Sequence, residues 1–271
     1  MNCLKVPYFS LDGKETGSID LPFVFQTPFR PDVIQRAYVA LATHALQPQG
    51  RDPTAGMKTS AEAFNPPTGR GIARLARVKG EGYARAGQAA GVASVVKGRQ
   101  AHPPQVEKRV WKYINEKERR LATASAIAAT ANKELVKIRG HEVDEVPSLP
   151  LVVADDVQSI IKAKDLKSVF QNLGVLKDLE RARSKKILAG KSRTRGRATK
   201  YRVGPLLVIA QDLGLKKAVE SLPGVECVLA KDLSVLNLAP GSHPGRLTIW
   251  SKSAVTGLSP SLMAVGDRNA G

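Results

Sequence analysis

Aromatic residues, cysteines and long apolar runs are all scarce in this sequence of 271 residues. With 5% aromatic and 42% hydrophobic residues, we expect a modest core in one or roughly two domains. Cys3 and Cys227 are isolated, which fits packing residues in a reducing compartment, although two distant cysteines can pair in principle. No segment approaches the ~20 apolar residues of a membrane helix, and the N-terminus lacks the pattern of a secretory signal. We therefore expect a soluble, cytoplasmic protein with no membrane partner.

Acidic residues are too few to balance the basic ones. The 42 Lys and Arg residues exceed the 24 Asp and Glu residues, which gives a net charge of +18 and a pI of about 10.1. A field of this size predicts a polyanionic partner, either nucleic acid or an anionic membrane surface. A membrane-surface protein would need a basic amphipathic helix with a bulky apolar face, and we find none in the sequence. Nucleic acid is therefore the favoured partner.

The positive charge is concentrated in two segments. Residues 181–202 hold ten basic residues and no acidic one, and residues 47–105 hold nine basic residues against three acidic ones. Residues 203–250, in contrast, hold four of each sign and have no net charge. We expect an ordinary globular surface there and polyanion contacts in the two basic segments.

The N-terminal part predicts a hairpin and a helix, which we group as residues 1–46. Alternating apolar residues on either side of a turn at residues 12–13 predict a β-hairpin that lies at a sheet edge or on the surface. Pro31 suits the first position of a helix, and Asp32 suits its positive N-terminal end. Apolar residues with helical spacing continue this helix to about Leu46.

Residues 47–105 show no sustained periodicity and are rich in Gly, Ala, Pro and Arg. Ordering a backbone costs roughly 1–2 kcal/mol per residue, and this segment has little apolar area to offset that cost. We predict a long extended RNA-binding loop that is disordered until its partner orders it.

The segment from 106 to 256 is expected to complete the globular domain, followed by a tail at 257–271. Val106, Val110 and Ile114, spaced by four, predict a short helix. Asn115 and Glu118 resemble a capping box that starts a second helix, with Leu135 and Ile138 facing inward and Gly140 as its C-cap.

The C-terminal half has an α/β rhythm. Four apolar runs, at 149–154, 206–210, 225–230 and 247–250, are typical of buried parallel strands. Asp156, Asp212, Asp232 and Ser251 follow them and are predicted to cap helices. The fold class is therefore α/β, with a small parallel sheet of about four strands covered by helices, two of them predicted within 165–188.

No catalytic or metal site is predicted. Gly190-Lys191-Ser192 resembles the end of a phosphate-binding P-loop, but Lys185 stands where that motif requires glycine, and no strand is predicted immediately before it. Asp155 and Asp156 could hold Mg²⁺ or a ribose at a strand end, although helix capping explains them better. The four histidines are scattered without metal-ligand spacing or a nucleophile partner. No enzymatic activity and no cofactor are expected.

The basic residues are interleaved with glycine and alanine, which lets a backbone approach phosphates while guanidinium groups bind them or stack on bases. Trp111 and Trp250 sit in apolar patterns and are predicted to pack. The candidate RNA-binding residues are Arg51, Lys58, Arg70, Arg74, Arg77, Lys79, Arg85, Lys97, Arg99, Lys108, Arg109, Lys191, Arg193, Arg195, Arg197, Lys200 and Arg202.

Five separated segments resemble the L-four family of large-subunit ribosomal proteins, of the archaeal or eukaryotic type. They are QGRDPTAGMKTSAE, NPPTGRGIARLARVKGEG, RQAHPPQVEKRVWKYINEKERRLATASAIAAT, KSRTRGRATKYRVGPLLVIA and LNLAPGSHPGRLTIWSKSA. They occur in the expected order and span nearly the whole chain. The segment GEGYARAGQAAG is less basic than the family pattern, and the chain lacks the long C-terminal extension of eukaryotic members. We therefore expect an archaeal-type member.

The resemblance implies a Rossmann-like three-layer α/β/α domain and a loop that threads the large-subunit rRNA to the nascent-peptide exit tunnel. It places Arg70, Arg74, Arg77 and Lys79 nearest the tunnel constriction. It also implies a role in subunit assembly, with rRNA, neighbouring ribosomal proteins and the nascent peptide as partners, and Mg²⁺ only as an ion associated with the rRNA. Two alternatives stay open: an autonomous regulatory RNA-binding protein, and an RNA-modifying or nucleotide-using α/β enzyme.

Overall fold

The computed structural model describes residues 4–63, 65–260 and 262, so Cys3 and most of the predicted tail lie outside the described residues. The strands are β1 (Lys5–Phe9), β2 (Glu15–Asp20), β3 (Ala61–Ala63), β4 (Ala76–Val78), β5 (Leu151–Val153), β6 (Lys185–Ile187), β7 (Thr199–Tyr201), β8 (Leu206–Ile209), β9 (Glu226–Leu229) and β10 (Thr248–Ser251). The α-helices are α1 (Pro31–Thr43), α2 (Glu116–Ala131), α3 (Lys133–Arg139), α4 (Ala163–Asn172), α5 (Leu176–Arg183), α6 (Lys191–Thr194), α7 (Leu215–Glu220), α8 (Val235–Leu238) and α9 (Lys252–Thr256). Among the helices of this described part, none has both the length and the apolar character needed to span a bilayer.

Six strands form one sheet in the order β2-β1-β5-β10-β8-β9. All neighbours are parallel except β1 and β2, which form the predicted antiparallel hairpin. Each of the four predicted apolar runs overlaps a strand, but the predicted count of about four strands was wrong, because the sheet has six. The hairpin adds two, because Tyr8 of β1 pairs in register with Val152 of β5 and extends the sheet at its edge.

Helices cover both faces of this sheet. Val152, Val208 and Trp250 belong to a core shared with α1, α2, α8 and α9. Leu207 and Ile249, which alternate with them along the strands, belong to a second core shared with α4, α5 and α7. Strands buried on both faces need continuous apolar sequence, which explains why these runs were recognisable.

The two tryptophans have different environments. Trp250 is fully buried and packs edge-on against Phe25 with ring centroids 5.4 Å apart, as predicted. Trp111 was also predicted to pack, and this was wrong because it is 45% exposed. Its indole N–H donates a hydrogen bond to the carbonyl of Leu46 at 3.1 Å.

The predicted helix around Val106, Val110 and Ile114 is absent: residues 103–115 are non-helical. Three apolar positions specify barely two turns, and a helix this short needs tertiary burial to be stable in water. Val106 is 69% exposed, so that burial is missing.

The predicted second helix is divided at Asn132, whose side chain accepts hydrogen bonds from the N–H groups of Glu134 and Leu135 and so begins a new helix. The break changes which residues face the core, and Ile138, predicted to point inward, is 81% exposed. Gly140 does end α3 in the left-handed conformation, as predicted.

The predicted helix caps had mixed outcomes. Asn115 makes no side-chain capping bond, so the predicted capping box is wrong, and Glu118 instead pairs with Arg36 at 2.8 Å. Asp212 and Ser251 do accept N–H groups at the start of the turns that follow them.

Two further capping predictions, at Asp156 and Asp232, were wrong. These residues lie in the 3-10 turns Asp155–Ser159 and Ala230–Asp232, neither of which has a side-chain cap.

The chain divides into two compact units. The first comprises the described residues of Met1–Thr43 and Lys112–Gly271, and it contains the six-stranded sheet. The second is His44–Trp111, in which β3 and β4 pair antiparallel. Among the described residues of the second unit, Pro66 alone is buried, so this unit has no hydrophobic core of its own there.

Candidate nucleic-acid interface

The acid-free tract folds into a β-hairpin with a helical turn at its tip, and we call residues 185–202 the basic hairpin. β6 and β7 pair antiparallel, and α6 lies between Gly190 and Gly196, whose positive φ angles of 65° and 81° suit glycine at the two bends. Ile187 is 69% exposed, so the hairpin buries little apolar surface. Its basic side chains are all exposed and form no ion pair within the described residues: Lys185, Lys186, Lys191, Arg193, Arg195, Arg197, Lys200 and Arg202.

Two lysines face each other across this hairpin. Lys186 and Lys200 are directly opposite in the register of β6 and β7. Like charges at such positions destabilise a strand pair, on the scale of roughly 0.2–1 kcal/mol for cross-strand pairs. A polyanion bound beside them would remove that repulsion.

A buried ionic cluster holds the chain at the base of the basic hairpin. Asp178 in α5 is fully buried and accepts hydrogen bonds from Nδ1 of His141 (2.9 Å), the N–H of Glu142 (3.1 Å) and Nε of Arg181 (2.8 Å). Arg181 also donates through Nη2 to the carbonyl of Val203, at 2.7 Å. The residue that follows the hairpin is thereby tied to α5.

The electrostatics of this cluster leave excess positive charge. Burial lowers the pKa of His141 and outweighs the attraction of Asp178, so the imidazole is neutral at pH 7. Burial alone would raise the pKa of Asp178, but hydrogen bonds from His141 and Arg181 lower it, and the carboxylate stays ionised. The pKa of Arg139 is lowered by burial and then by repulsion from the charges of Arg246 and Arg181.

The second unit carries the other candidate residues. All of them are exposed except Arg77, which is half-buried: Arg51, Lys58, Arg70, Arg74, Arg77, Lys79, Arg85, Lys97, Arg99, Lys108 and Arg109. Exposure is what phosphate contact requires, since a buried guanidinium would be used within the protein.

The four residues expected nearest the exit tunnel differ in what they contact. Arg77 donates to the carbonyls of Gly87 (2.9 Å) and Ala73 (3.4 Å), so its guanidinium holds neighbouring segments of the unit together. Lys79 pairs with a carboxylate on β3, and Arg74 donates to the hydroxyl of Thr68. Arg70 is exposed and no bond of its side chain is found in the described residues.

Polar contacts also fix the beginning of the second unit. Arg51 donates through Nη1 to Oε1 of Gln100 at 2.9 Å, which joins segments distant in sequence. Lys58 pairs with Asp52 at 3.0 Å, and the pKa of this aspartate is lowered to about 2, first by the N–H of Thr54 and then by Lys58. These contacts are exposed, so the free energy that each contributes is small.

Gly69 and Gly71 lie beside the arginines predicted to bind RNA. Both have positive φ, and a Cβ built on either would meet nothing within 4 Å. The backbone here is therefore open to close approach by a ligand.

The features that the enzyme alternatives rely on do not have the structural setting that they require. A short strand, β6, does precede Gly190, contrary to the sequence interpretation, but it belongs to the exposed hairpin and leads into a helix of four residues. Asp155 is used internally, since it accepts the N–H of Ser253 at 2.8 Å and the side-chain amide of Gln158 at 3.0 Å. Among the described residues, no group of His, Cys, Asp and Glu is placed to hold a metal ion.

Sequence reasoning missed the buried cluster and its basic neighbours. His141 and Asp178 are 37 residues apart, and no local pattern marks them as partners. Arg181 and Lys186 were counted in the basic segment but not chosen as candidates. The available signal was that both lie within residues 181–202, the segment that holds no acidic residue.

Comparison with known proteins identifies close relatives of nearly the whole chain. Residues 19–260 match the Ribosomal protein L4/L1 family. A protein of Methanopyrus kandleri named large ribosomal subunit protein uL4 is 44% identical over 96% of this chain and 99% of its own length. Proteins of the same name from Methanosphaera stadtmanae and Methanococcus vannielii are 43% and 46% identical, each over 93% of this chain and 95% and 97% of their lengths.

Proposed function

Because the chain belongs to the ribosomal protein L4/L1 family, as its sequence segments predicted, we propose that it is a structural constituent of the large ribosomal subunit. In this role it binds large-subunit rRNA, contacts neighbouring ribosomal proteins and supports assembly of the subunit. Relatives that match over nearly their whole length carry the name of a large-subunit protein, which supports this role for the whole chain.

The observation that carries the RNA-binding role is the basic hairpin. Its eight cations are exposed and have no acidic partner in the described part of the chain. A side chain that pairs with no carboxylate and packs on no core contributes little to folding. Contact with the phosphate backbone is the role that this arrangement suits best.

We assign the loop at 47–105 to the rRNA interior and the wall of the nascent-peptide exit tunnel, with Arg70, Arg74, Arg77 and Lys79 nearest the nascent peptide. The exposed arginines and the open backbone at Gly69 support this assignment. The first unit is proposed to be a Rossmann-like three-layer domain, supported by a mostly parallel sheet with helices on both faces. Bound Mg²⁺ is expected only with the rRNA, and no membrane partner is proposed.

The decisive experiment is quantitative mass spectrometry of salt-washed large subunits from the source organism. We expect one copy of this chain per subunit. If the protein is absent from subunits and recovered on other RNAs, the role of an autonomous regulatory RNA-binding protein replaces the proposed one.

A second experiment tests the acid-free tract. Neutralising Lys191, Arg193, Arg195, Arg197, Lys200 and Arg202 together should flatten the plot of log affinity for large-subunit rRNA against log salt concentration. Each lost phosphate contact is expected to reduce the slope by ~0.7–0.9. An unchanged slope would show that these side chains are merely solvated.

A further inference from the structure

A concave site of about 720 Å³ lies at the base of the basic hairpin, within the first unit. It is bounded by the C-terminal end of α3, by the strands of the hairpin and by the 3-10 turn Pro240–Ser242. Its cationic lining residues are Arg139, Arg181, Lys186, Lys200 and Arg202. A site of this size accommodates a small ligand or a few nucleotides and is much larger than a single ion needs.

No acidic side chain lines this cavity within the described residues. The carboxylate of Asp178 lies behind it and is already used by Arg181. Arg139 donates through Nη2 to the carbonyl of Pro240 at 2.8 Å, while its Nε is buried with no partner found in the described residues. Four of the five cations, all except Arg181, therefore have no neutralising partner in this part of the structure.

The hairpin brings two of these cations close together, and their repulsion destabilises it. Lys186 and Lys200 are directly opposite across the strands, where an uncharged pair would be more favourable for the hairpin alone. The arrangement is explained if an anion lies between them and the guanidinium groups of Arg139 and Arg202.

The cavity also offers an aromatic surface. Tyr201, 55% exposed, is part of its lining. An exposed aromatic residue that lines the same cavity as several cations is a combination with which proteins hold unpaired nucleotides, since the base stacks while the phosphates are neutralised. Gly140 contributes no side chain, and a Cβ there would meet nothing within 4 Å.

We propose that this cavity binds an unpaired, sharply turned segment of RNA, with two consecutive phosphates held by Lys186, Lys200, Arg139 and Arg202 and one base stacked on Tyr201. The proposal rests on the proposed function and adds a defined single-stranded subsite to it. An acidic protein segment would satisfy the cations but would leave the aromatic ring unused, so RNA is the better occupant.

The test measures binding of a 5′-phosphorylated uridine trinucleotide to the full chain by calorimetry in low salt. The wild type should bind it at a saturable site. The double variant K186Q/K200Q should bind it about tenfold more weakly or worse, because two charge-assisted contacts are lost. The matched control K164Q/K167Q removes the same charge from exposed positions on α4, outside the cavity and the two basic segments, and should stay within about twofold of the wild type.

Two results would overturn the proposal. One is an equal loss in both double variants, which would mean that affinity follows net charge and not the cavity. The other is tighter binding of a tetraglutamate peptide than of the trinucleotide, which would identify a protein segment as the occupant. Both lysines are exposed and repel each other, so K186Q/K200Q is expected to fold, as an unchanged circular dichroism spectrum should show.

Stacking is tested by changing the ring alone. Tyr201→Leu should weaken trinucleotide binding by about fivefold or more, whereas Tyr201→Phe, which keeps the ring, should not. Equal affinities for the two variants would exclude the stacked base. If the cavity does not bind the trinucleotide, the ribosomal role is unaffected, since that role is tested by the presence of the wild-type protein in large subunits. Absence of the wild-type protein from large subunits would overturn the proposed function regardless of the trinucleotide result.

Discussion

Replacing Arg246 by methionine tests how strongly the first unit depends on one buried guanidinium. Arg246 is fully buried, and it donates to the carbonyl of Gly204 (2.9 Å), the carbonyl of Asn237 (2.9 Å) and Oε2 of Glu226 (2.7 Å). It therefore joins the residues just before β8 to those of β9 and α8. Methionine keeps a long, flexible side chain and removes all the donors.

The expected loss follows from what each partner does afterwards. The carbonyls of buried Gly204 and half-buried Asn237 lose a donor, and an unsatisfied buried acceptor costs about 1–3 kcal/mol. Glu226 is 55% exposed on its side chain and regains water, so its contribution is small. Removal of a buried charge offsets part of the cost. We expect Arg246→Met to lower the free energy of unfolding by about 3 kcal/mol, a large share of the roughly 5–15 kcal/mol typical of a domain.

The assay is urea unfolding followed by the fluorescence of Trp250, which is fully buried in the folded unit. A Trp111→Phe background removes the exposed tryptophan, so the signal reports on the first unit alone. Glu226→Gln is the matched control: it keeps an acceptor for Arg246 and should cost less than about 1 kcal/mol. A loss below about 1 kcal/mol in Arg246→Met would refute the view that these carbonyls depend on it.

Three other perturbations have defined outcomes. Lowering the pH from 7 to 5 should destabilise the protein. Burial near Asp178, Arg181 and Arg246 lowers the pKa of His141 in the folded state below its pKa in the unfolded chain. The unfolded chain therefore takes up the proton first as the pH falls, which favours unfolding. Urea midpoints should show this, and His141→Asn should flatten their pH dependence; an equally steep curve would assign the effect elsewhere. Lys200→Glu should slow amide hydrogen exchange in the basic hairpin by creating an opposite-charge pair with Lys186, while it weakens rRNA binding; faster exchange would contradict the register. Trypsin should cut the free protein in the second unit, at its exposed basic residues, before it cuts the six-stranded sheet or the helices that cover it, and added rRNA should slow that cleavage. Prior cleavage within the six-stranded sheet or its covering helices would count against an RNA-ordered loop.

The parts of the fold that the sequence predicted are those determined by interactions between neighbouring residues or by burial on both faces of the sheet. The run Leu206–Ile209 is apolar because both faces of β8 are covered, and this pattern is visible without a structure. The break at Asn132 was not predictable in the same way, since asparagine occurs both within and before helices and its capping bonds decide the outcome. The absence of a helix near Val106 depends on missing tertiary contacts, which no short spacing pattern reveals.

The candidate site also has one part that is marked by local sequence and another that is formed only by tertiary contacts. The basic tract was predictable because its charge is contiguous, from Lys191 to Arg202. The β-hairpin was not predicted: the helices expected within 165–188 end at Arg183, and Lys185–Ile187 is a strand. The cavity beneath it was not predictable either, because folding brings Arg139, Arg181 and Tyr201 together from three separate elements. Contiguous charge identifies the class of partner, whereas a shaped binding site requires the tertiary structure.

The chain order of the first unit has a consequence for its biosynthesis. α1 packs against α2, and the N–H of Lys112 donates to the hydroxyl of Thr43 at 2.9 Å, yet the whole second unit is encoded between them. At ~5–20 residues per second, translation needs several seconds to pass from α1 to α2. During that interval α1 has no partner helix, while the arginine-rich segment is already being made. The nascent protein therefore presents the proposed RNA-binding residues of the second unit before the domain that carries them can close.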